Sequence, residues 1–177
     1  MHLIFEFVFI ILFFSSVLGE EYTLETIGAK KCALNFGTQE INYELTINNE
    51  KDGAKSLTLE FNLDEPITKD FTYRADINIM TSGQYIHYIE PDGNVCKDIN
   101  DLGKIAWDAF RNAVNPKIKD LCTIPPGKYK LEKFQVKKGD FDVPIPTAGQ
   151  FMAQFHLHNK KGLEVACLEM EFRILEN

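Results

Sequence analysis

The side chains best able to do chemistry are few, and most of them lie on predicted strands. His156 and His158 alternate with apolar residues, so they share one strand face, and His87 is the third imidazole that a metal site would need. Histidines that face solvent are the simpler explanation of this pattern. We therefore expect neither a metal nor any other cofactor.

Two carboxylates, Glu169 and Glu171, also share a strand face, a spacing that acid–base catalysis could use. A solvated sheet edge explains the same pair without any chemistry. The chain has no Gly-x-Ser-x-Gly, Walker, His-Glu-x-x-His or Gly-x-Gly-x-x-Gly motif. The sequence therefore predicts a protein with no catalytic residues, and not an enzyme.

The four cysteines are spaced too far apart for a zinc knuckle, whose ligands lie two to four residues from each other. In an exported chain an even number of cysteines is typical of disulfides, and four cysteines allow three pairings. Spacing alone does not choose among the three. We favour Cys32 with Cys167, which would join terminal strands, and Cys96 with Cys122, which would close one local excursion.

The N-terminal segment predicts export. Leu3 to Phe14 is almost wholly apolar, and Val17-Leu18-Gly19 resembles a signal-peptidase site. The run is shorter than the roughly 20 residues that a membrane anchor needs. We expect a signal peptide over 1–19 and one domain over 20–177, in an extracellular protein, with the lysosomal lumen as the alternative location.

The formal net charge is -7, and no basic patch interleaved with aromatic residues is present. Such a chain is a poor ligand for nucleic acid. We expect no nucleic-acid partner.

Apolar residues recur with period two over most of the chain, which predicts half-buried strands. The predicted strands cover residues 41–47, 57–63, 71–79, 85–89, 128–137, 151–157 and 166–174. A bulge near Glu132 and Lys133 would keep Phe134 on the same side as Leu131. Pro91 to Asn94 predicts a turn.

One segment changes to a period of three to four residues, from Lys97 to Val114, and this predicts an amphipathic helix that includes Trp107. Asn115-Pro116 should end it. Short strands, one inserted helix and no repeats indicate an all-β fold, an antiparallel β-sandwich stapled by disulfides.

The order of these features resembles a known family. An early Cys, paired amphipathic strands, Cys96, a helix, Cys122-Thr-Ile-Pro-Pro-Gly-Lys-Tyr, a Phe-rich hairpin and Leu-Glu-Val-Ala-Cys-Leu are similar to the secreted ML (myeloid differentiation-related lipid-recognition) domains. The likeness is greatest to the ganglioside-activator-like branch and its insect secreted relatives. This chain has four cysteines where the ganglioside activator has eight, so glycolipid specificity does not follow.

The resemblance implies an immunoglobulin-like sandwich whose sheets splay around an apolar cavity for acyl chains, with no catalysis. It implies a secreted protein that binds, transfers or presents a lipid or another small amphiphile, in lipid handling or chemosensation. A membrane surface or a receptor ectodomain is a further partner that it suggests. The alternative is an extracellular β-sandwich that binds a protein and has a dry core.

The predicted cavity residues are inward-facing and mostly aromatic. A dry core would use the same residues. The candidates are Leu59, Phe61, Phe71, Tyr73, Ile77, Ile79, Trp107, Phe110, Phe134, Phe151 and Phe155.

Overall fold

The computed structural model describes residues 22–32, 41–51, 55–102, 104–134 and 148–176. The predicted signal peptide over 1–19 lies outside these ranges.

Two antiparallel sheets form this part of the chain. The larger sheet has the strand order β1-β9-β8-β4-β5, with β6 also paired to β4, and the smaller sheet has the order β2-β3-β7. The strands are β1 (Tyr22–Lys31), β2 (Asn42–Asn49), β3 (Lys55–Leu63), β4 (Thr72–Thr81), β5 (Gln84–Ile89), β6 (Asp92–Asn94), β7 (Gly127–Phe134), β8 (Gly149–His158) and β9 (Glu164–Glu176). The all-β sandwich that the sequence predicts is confirmed.

The apolar residues at alternate positions of each strand point into the space between the sheets. On β3 these are Leu57, Leu59 and Phe61, and β8 presents Phe151 and its alternate neighbours. Burying a side chain of this size contributes about 1.5–3 kcal/mol, so the period-two pattern fixes which face of each sheet turns inward.

The predicted bulge in β7 is confirmed. Leu57 pairs with Phe134 and Leu59 with Leu131, so β7 has one more residue than β3 between these pairs. Lys133 takes the left-handed conformation, with φ of 49°, at this point. The extra residue lets both Leu131 and Phe134 turn inward.

Two strands were not expected from the sequence pattern. β1 runs along β9, with a register shift between Thr26 and Gly28. The segment Asp92–Asn94, which predicts a turn, forms β6 instead and pairs with Thr72 to Arg74. The turn prediction was wrong there because the start of β4 offers free backbone groups to this segment.

Helix forms over α1 (Val95–Leu102) and α2 (Lys104–Ala113), so it begins two residues before the predicted start at Lys97 and ends one residue before Val114. We call α1, α2 and the following segment up to Ile124 the helical cover. Trp107 and Phe110 stack with ring centroids 5.2 Å apart, and Phe110 contacts Phe134 of β7 edge to face at 6.1 Å. The Trp107 indole N–H donates to the Leu121 carbonyl at 3.0 Å. The cover is therefore anchored to the smaller sheet by aromatic packing.

Both disulfides join the cysteines that the sequence favoured. Cys32 is bonded to Cys167 and Cys96 to Cys122. The first links the end of β1 to β9, and the second links α1 to the segment before β7. Within the described ranges, neither helix is long and apolar enough to cross a bilayer.

Candidate functional site

A cavity of about 370 Å³ opens between the two sheets where several strands begin or end. We call it the end cavity. Its floor is apolar and its rim is polar. The floor consists of Ile41, Leu63, Ile67, Phe71 and Val165, and the rim of Asp64, Glu65, Pro66, Thr68, Asn159, Lys160 and Lys161.

Both sheets contribute to the floor of the end cavity. Leu63 is the last residue of β3 in the smaller sheet, and Val165 lies at the start of β9 in the larger one. The Ile41 amide donates to the Val165 carbonyl at 3.4 Å, which joins the two sheets beside the cavity. A ligand in this space would contact both layers of the sandwich.

The connection between β3 and β4 forms one wall. Ile67 exchanges two backbone hydrogen bonds with Ile124, each 3.0 Å long. The Asn94 side-chain amide donates to the Phe71 carbonyl at 3.2 Å and to the Lys69 carbonyl at 2.8 Å. β6 thus fixes the backbone next to Phe71, a residue that is 9% exposed and lines the cavity.

The opposite wall is the turn between β8 and β9. The Asn159 side-chain carbonyl accepts from the amides of Lys161, at 2.9 Å, and Leu163, at 3.2 Å. Gly162 has φ of 72°, which suits glycine in a hairpin of this length. The sequence Asn-Lys-Lys-Gly therefore folds locally into a turn that places both lysines at the rim.

The structure places one of the eleven cavity candidates from the sequence in the end cavity. Phe71 lines the end cavity, and the other ten candidates lie elsewhere in the described part of the chain. Several of them fill the interior as aromatic pairs. Phe61 stacks on Tyr129 at 4.7 Å, and Phe151 stacks on Phe172 at 5.4 Å.

The remaining candidates pack between the sheets or under the helical cover. Trp107 and Phe110 are almost fully buried against each other, and neither lines the end cavity. The described interior between the sheets also contains Leu59, Tyr73, Ile77 and Phe155 as buried residues, with Ile79 and Phe134 partly buried at its margin.

Four floor residues, Ile41, Leu63, Ile67 and Val165, were not among the sequence candidates. Each lies at or near the end of a strand. The signal that could have found them is an apolar residue at a strand end next to charged turn residues, such as Leu63 before Asp64 and Glu65.

His156 corrects an expectation drawn from the sequence. Its side chain is buried, with 3% exposed, although it was expected to face solvent. Nδ1 lies 2.7 Å from Glu164 Oε1, and Nε2 lies 3.4 Å from Asp76 Oδ2. His156 pairs in register with the buried Cys167, so the outer face of the sheet is covered at this point.

His158 is partly buried. It lies two residues after His156 on β8, on the same face of the strand. Burial lowers the pKa of the His158 imidazole below its ordinary value of 6.5, and the Glu164 carboxylate opposes this effect. The folded protein therefore favours the neutral form of His158.

His156, Glu164 and Cys167 lie within 4.8 Å of one another, the closeness that a metal site needs. The Cys167 sulfur is bonded to Cys32, so it offers no thiolate to a metal. The group is better described as a buried hydrogen bond between His156 and Glu164 beside a disulfide.

Glu169 and Glu171 have structural partners. Glu169 forms an ion pair with Lys30 at 2.9 Å and accepts from Gln154 at 2.8 Å. Glu171 accepts from Gln150 at 2.7 Å and from the Tyr85 hydroxyl. These contacts are cross-strand pairs on the outer face of the larger sheet.

No family model matches the chain, and no curated protein does. Among solved structures, the chain is similar to a Niemann-Pick type C2 protein from the Japanese carpenter ant. The identity is 13% and the TM-score 0.33, over 82% of this chain and 97% of the ant protein. It is also similar to chicken MD-1 in complex with lipid IVa, with 13% identity and a TM-score of 0.35, over 88% of this chain and 99% of MD-1.

Proposed function

We propose that this chain is an exported, non-enzymatic protein that binds a lipid or another small amphiphile, to carry or present it. The apolar part of the ligand lies on the floor of the end cavity and its polar part at the rim. The observation that supports this proposal is the end cavity itself, an apolar floor built by both sheets beneath a polar rim.

The size of the cavity suits a small ligand. Sites for small molecules have volumes of roughly 300–1,000 Å³, and the end cavity has about 370 Å³. Each methylene group that leaves water contributes about 0.8 kcal/mol. A single acyl chain, partly enclosed, therefore supplies enough free energy for binding without elaborate polar recognition.

The chemical character of the lining also favours a carrier. Its ionisable side chains are Asp64, Glu65, Lys160 and Lys161, all of them exposed at the rim. Such groups suit contacts with a headgroup, whereas a catalytic site usually holds partly buried groups with perturbed pKa values.

The first experiment is native mass spectrometry, with lipid extraction, of the protein purified from a secreting host. It is combined with displacement of a fluorescent fatty-acid probe. We expect a bound amphiphile or a displaceable probe. A protein that is consistently free of ligand and does not bind the probe would contradict the proposal.

A substitution at the rim then tests the site. Thr68 is partly buried in the cavity wall, so Thr68→Trp should fill the cavity and lower probe affinity at least tenfold. The fold should tolerate the change, with the free energy of unfolding altered by less than about 1 kcal/mol.

The matched control is Thr81→Trp. Thr81 is exposed at the other end of β4, roughly 30 Å away at about 3.3 Å per residue, so probe affinity should stay within twofold of wild type. Equal effects of the two substitutions would place the ligand elsewhere.

The alternative function is an extracellular module that binds a protein. The edge strand β5 favours it, because Ile86 and Ile89 are about half exposed there. Capture of a stoichiometric receptor ectodomain by a ligand-free protein, lost with Ile86→Asp, would support this alternative over a carrier.

A further inference from the structure

The rim of the end cavity presents both signs of charge, and each sign comes from a different sheet connection. Lys160 and Lys161 lie in the turn between β8 and β9, while Asp64 and Glu65 follow β3 on the other side. The inference below rests on the proposed function, because it concerns the polar part of the ligand bound there.

The two lysines are held at the rim by the backbone of their turn. The Asn159 amide donates to the Leu163 carbonyl at 2.9 Å, and the Gly162 amide donates to the Asn159 carbonyl at 2.8 Å. These bonds close the turn, so the two ammonium groups extend from a fixed backbone. Both lysines are exposed.

The two carboxylates are held in a similar way on the opposite wall. The Asn62 side-chain amide donates to Asp64 Oδ1 at 3.0 Å. Pro66 follows and restricts the backbone of Glu65 to extended conformations. Both carboxylates are exposed beside the apolar floor.

The two lysines and the two carboxylates of the rim do not pair with each other. Within the described part of the chain, no ion pair joins Lys160 or Lys161 to Asp64 or Glu65, although all four line one cavity. A headgroup with one charge would meet attraction from one wall and repulsion from the other. A zwitterionic headgroup meets attraction from both.

We propose that the end cavity selects single-chain amphiphiles with a zwitterionic headgroup. The anionic group of the ligand, a phosphate or carboxylate, contacts Lys160 and Lys161. The cationic ammonium contacts Asp64 and Glu65, and the alkyl chain lies on the floor beside Phe71.

The strength of this selection is limited by solvent. Contacts between exposed charges contribute little individually and are screened by salt. Discrimination between headgroups is a difference of affinities, so attraction on one wall and repulsion on the other both contribute to it.

Three probes with the same alkyl chain test the inference, each below its micelle concentration: dodecylphosphocholine, laurate and dodecyltrimethylammonium. Each competes with a fluorescent fatty-acid probe at low salt. We expect the zwitterion to compete roughly five- to tenfold more strongly than either singly charged probe, and the difference to shrink in high salt.

Charge-neutral variants of each wall identify the contacts. K160Q/K161Q should reduce dodecylphosphocholine affinity several-fold and make the cation a better competitor than laurate. D64N/E65Q should reduce dodecylphosphocholine affinity by a similar factor and make laurate a better competitor than the cation. The control K117Q/K119Q removes two exposed lysines that do not line the cavity, and should leave the order of the three probes unchanged.

Two failures are distinguishable. If all three probes compete equally in the wild-type protein, the cavity binds alkyl chains without reading the headgroup, and this inference is wrong while the proposed function stands. If none of the probes competes and the fluorescent probe does not bind, the proposed function itself is wrong.

Discussion

The helical cover and the end cavity use apolar side chains in opposite ways. In the cover, Trp107 stacks on Phe110, and Phe110 packs edge to face against Phe134 of β7, so these rings fill the space between the cover and the smaller sheet. In the end cavity, aliphatic residues at strand ends, together with Phe71, enclose space that they do not fill.

The difference teaches where open volume arises in this sandwich. Strand interiors bring side chains from both sheets into register, so large rings interdigitate there. Strand ends lead into turns whose polar residues turn to solvent, and here the buried apolar residues next to them enclose open volume. A high content of aromatic residues is therefore a sign of dense packing here, and the strand ends are the sites of open volume.

The largest expected effect on the free energy of unfolding comes from removing a disulfide, and the two disulfides should differ. Cys32–Cys167 closes a loop of 135 residues that contains the end cavity, and Cys96–Cys122 closes one of 26 residues at the helical cover. From the loop lengths, C32A/C167A should lower the free energy of unfolding by up to about 5 kcal/mol and C96A/C122A by up to about 3.5 kcal/mol. Equilibrium denaturation by urea measures both, and the opposite order would contradict this account.

The next effect separates packing from binding. Phe110 is fully buried, so F110A should cost about 3–5 kcal/mol of unfolding free energy and leave probe affinity within twofold. Phe71 already borders open space, so F71A should cost less than F110A and weaken probe binding roughly fivefold or more.

Urea denaturation and probe titration of both variants test this contrast. Loss of binding in F110A, with a native-like circular dichroism spectrum, would show that the helical cover contributes to the ligand site. Unchanged binding in F71A would remove Phe71 from it.

The smallest expected effects are on the pH dependence of folding stability. The pH range in which stability changes differs between the helical cover and the end cavity. Lys104 and Arg111, each 2.6 Å from Asp108, hold the pKa of that carboxyl below its ordinary value of 3.8. A lowered carboxyl pKa stabilises the fold above about pH 3.8, and this contribution disappears as the pH falls through the folded value. D108N should therefore cost less than about 1 kcal/mol at neutral pH, and the cost should shrink as the pH falls below about 3.8.

His158, next to the rim residue Asn159 of the end cavity, makes a contribution of the opposite sign: it destabilises the fold at low pH. Its folded pKa lies below 6.5, so the unfolded chain binds the proton more tightly and the fold loses stability as the pH falls below about 6.5. H158Q should remove this loss and gain stability relative to wild type at pH 5, with no difference at pH 8. Urea denaturation at these pH values checks both variants, and a constant difference across pH would contradict the assignment.

Much of the fold could be predicted from the sequence because its strands are amphipathic. The β8–β9 hairpin, the bulge in β7 and the helical segment all follow from periodicity and turn residues. β1 could not, because Gly28 interrupts the alternation at its register shift. β6 could not either, since Pro91-Asp92-Gly93 has the composition of a turn and pairs only because β4 lies next to it.

The site was less predictable than the fold. Periodicity identifies residues that point inward, and it does not distinguish packed volume from open volume. His156 shows the same limit on the outer face, because its side-chain contacts are with Glu164 of β9 and Asp76 of β4, which the pattern of its own strand does not reveal. Phe71 was among the candidates as an inward-facing aromatic residue of a predicted strand, and its position just before β4 is what brings it to the cavity.

The bond between Cys32 and Cys167 also decides how the molecule would carry mechanical load. β1 and β9 pair antiparallel from Tyr22 and Glu176 toward the disulfide, so tension applied at those two residues would open the pair like a zipper. The opening would stop at the covalent bond. The covalent path of the force then runs through the disulfide and bypasses the chain between the two cysteines. β8 still bears part of the load, because Gly149 to His156 pair with the stretch of β9 that would be pulled.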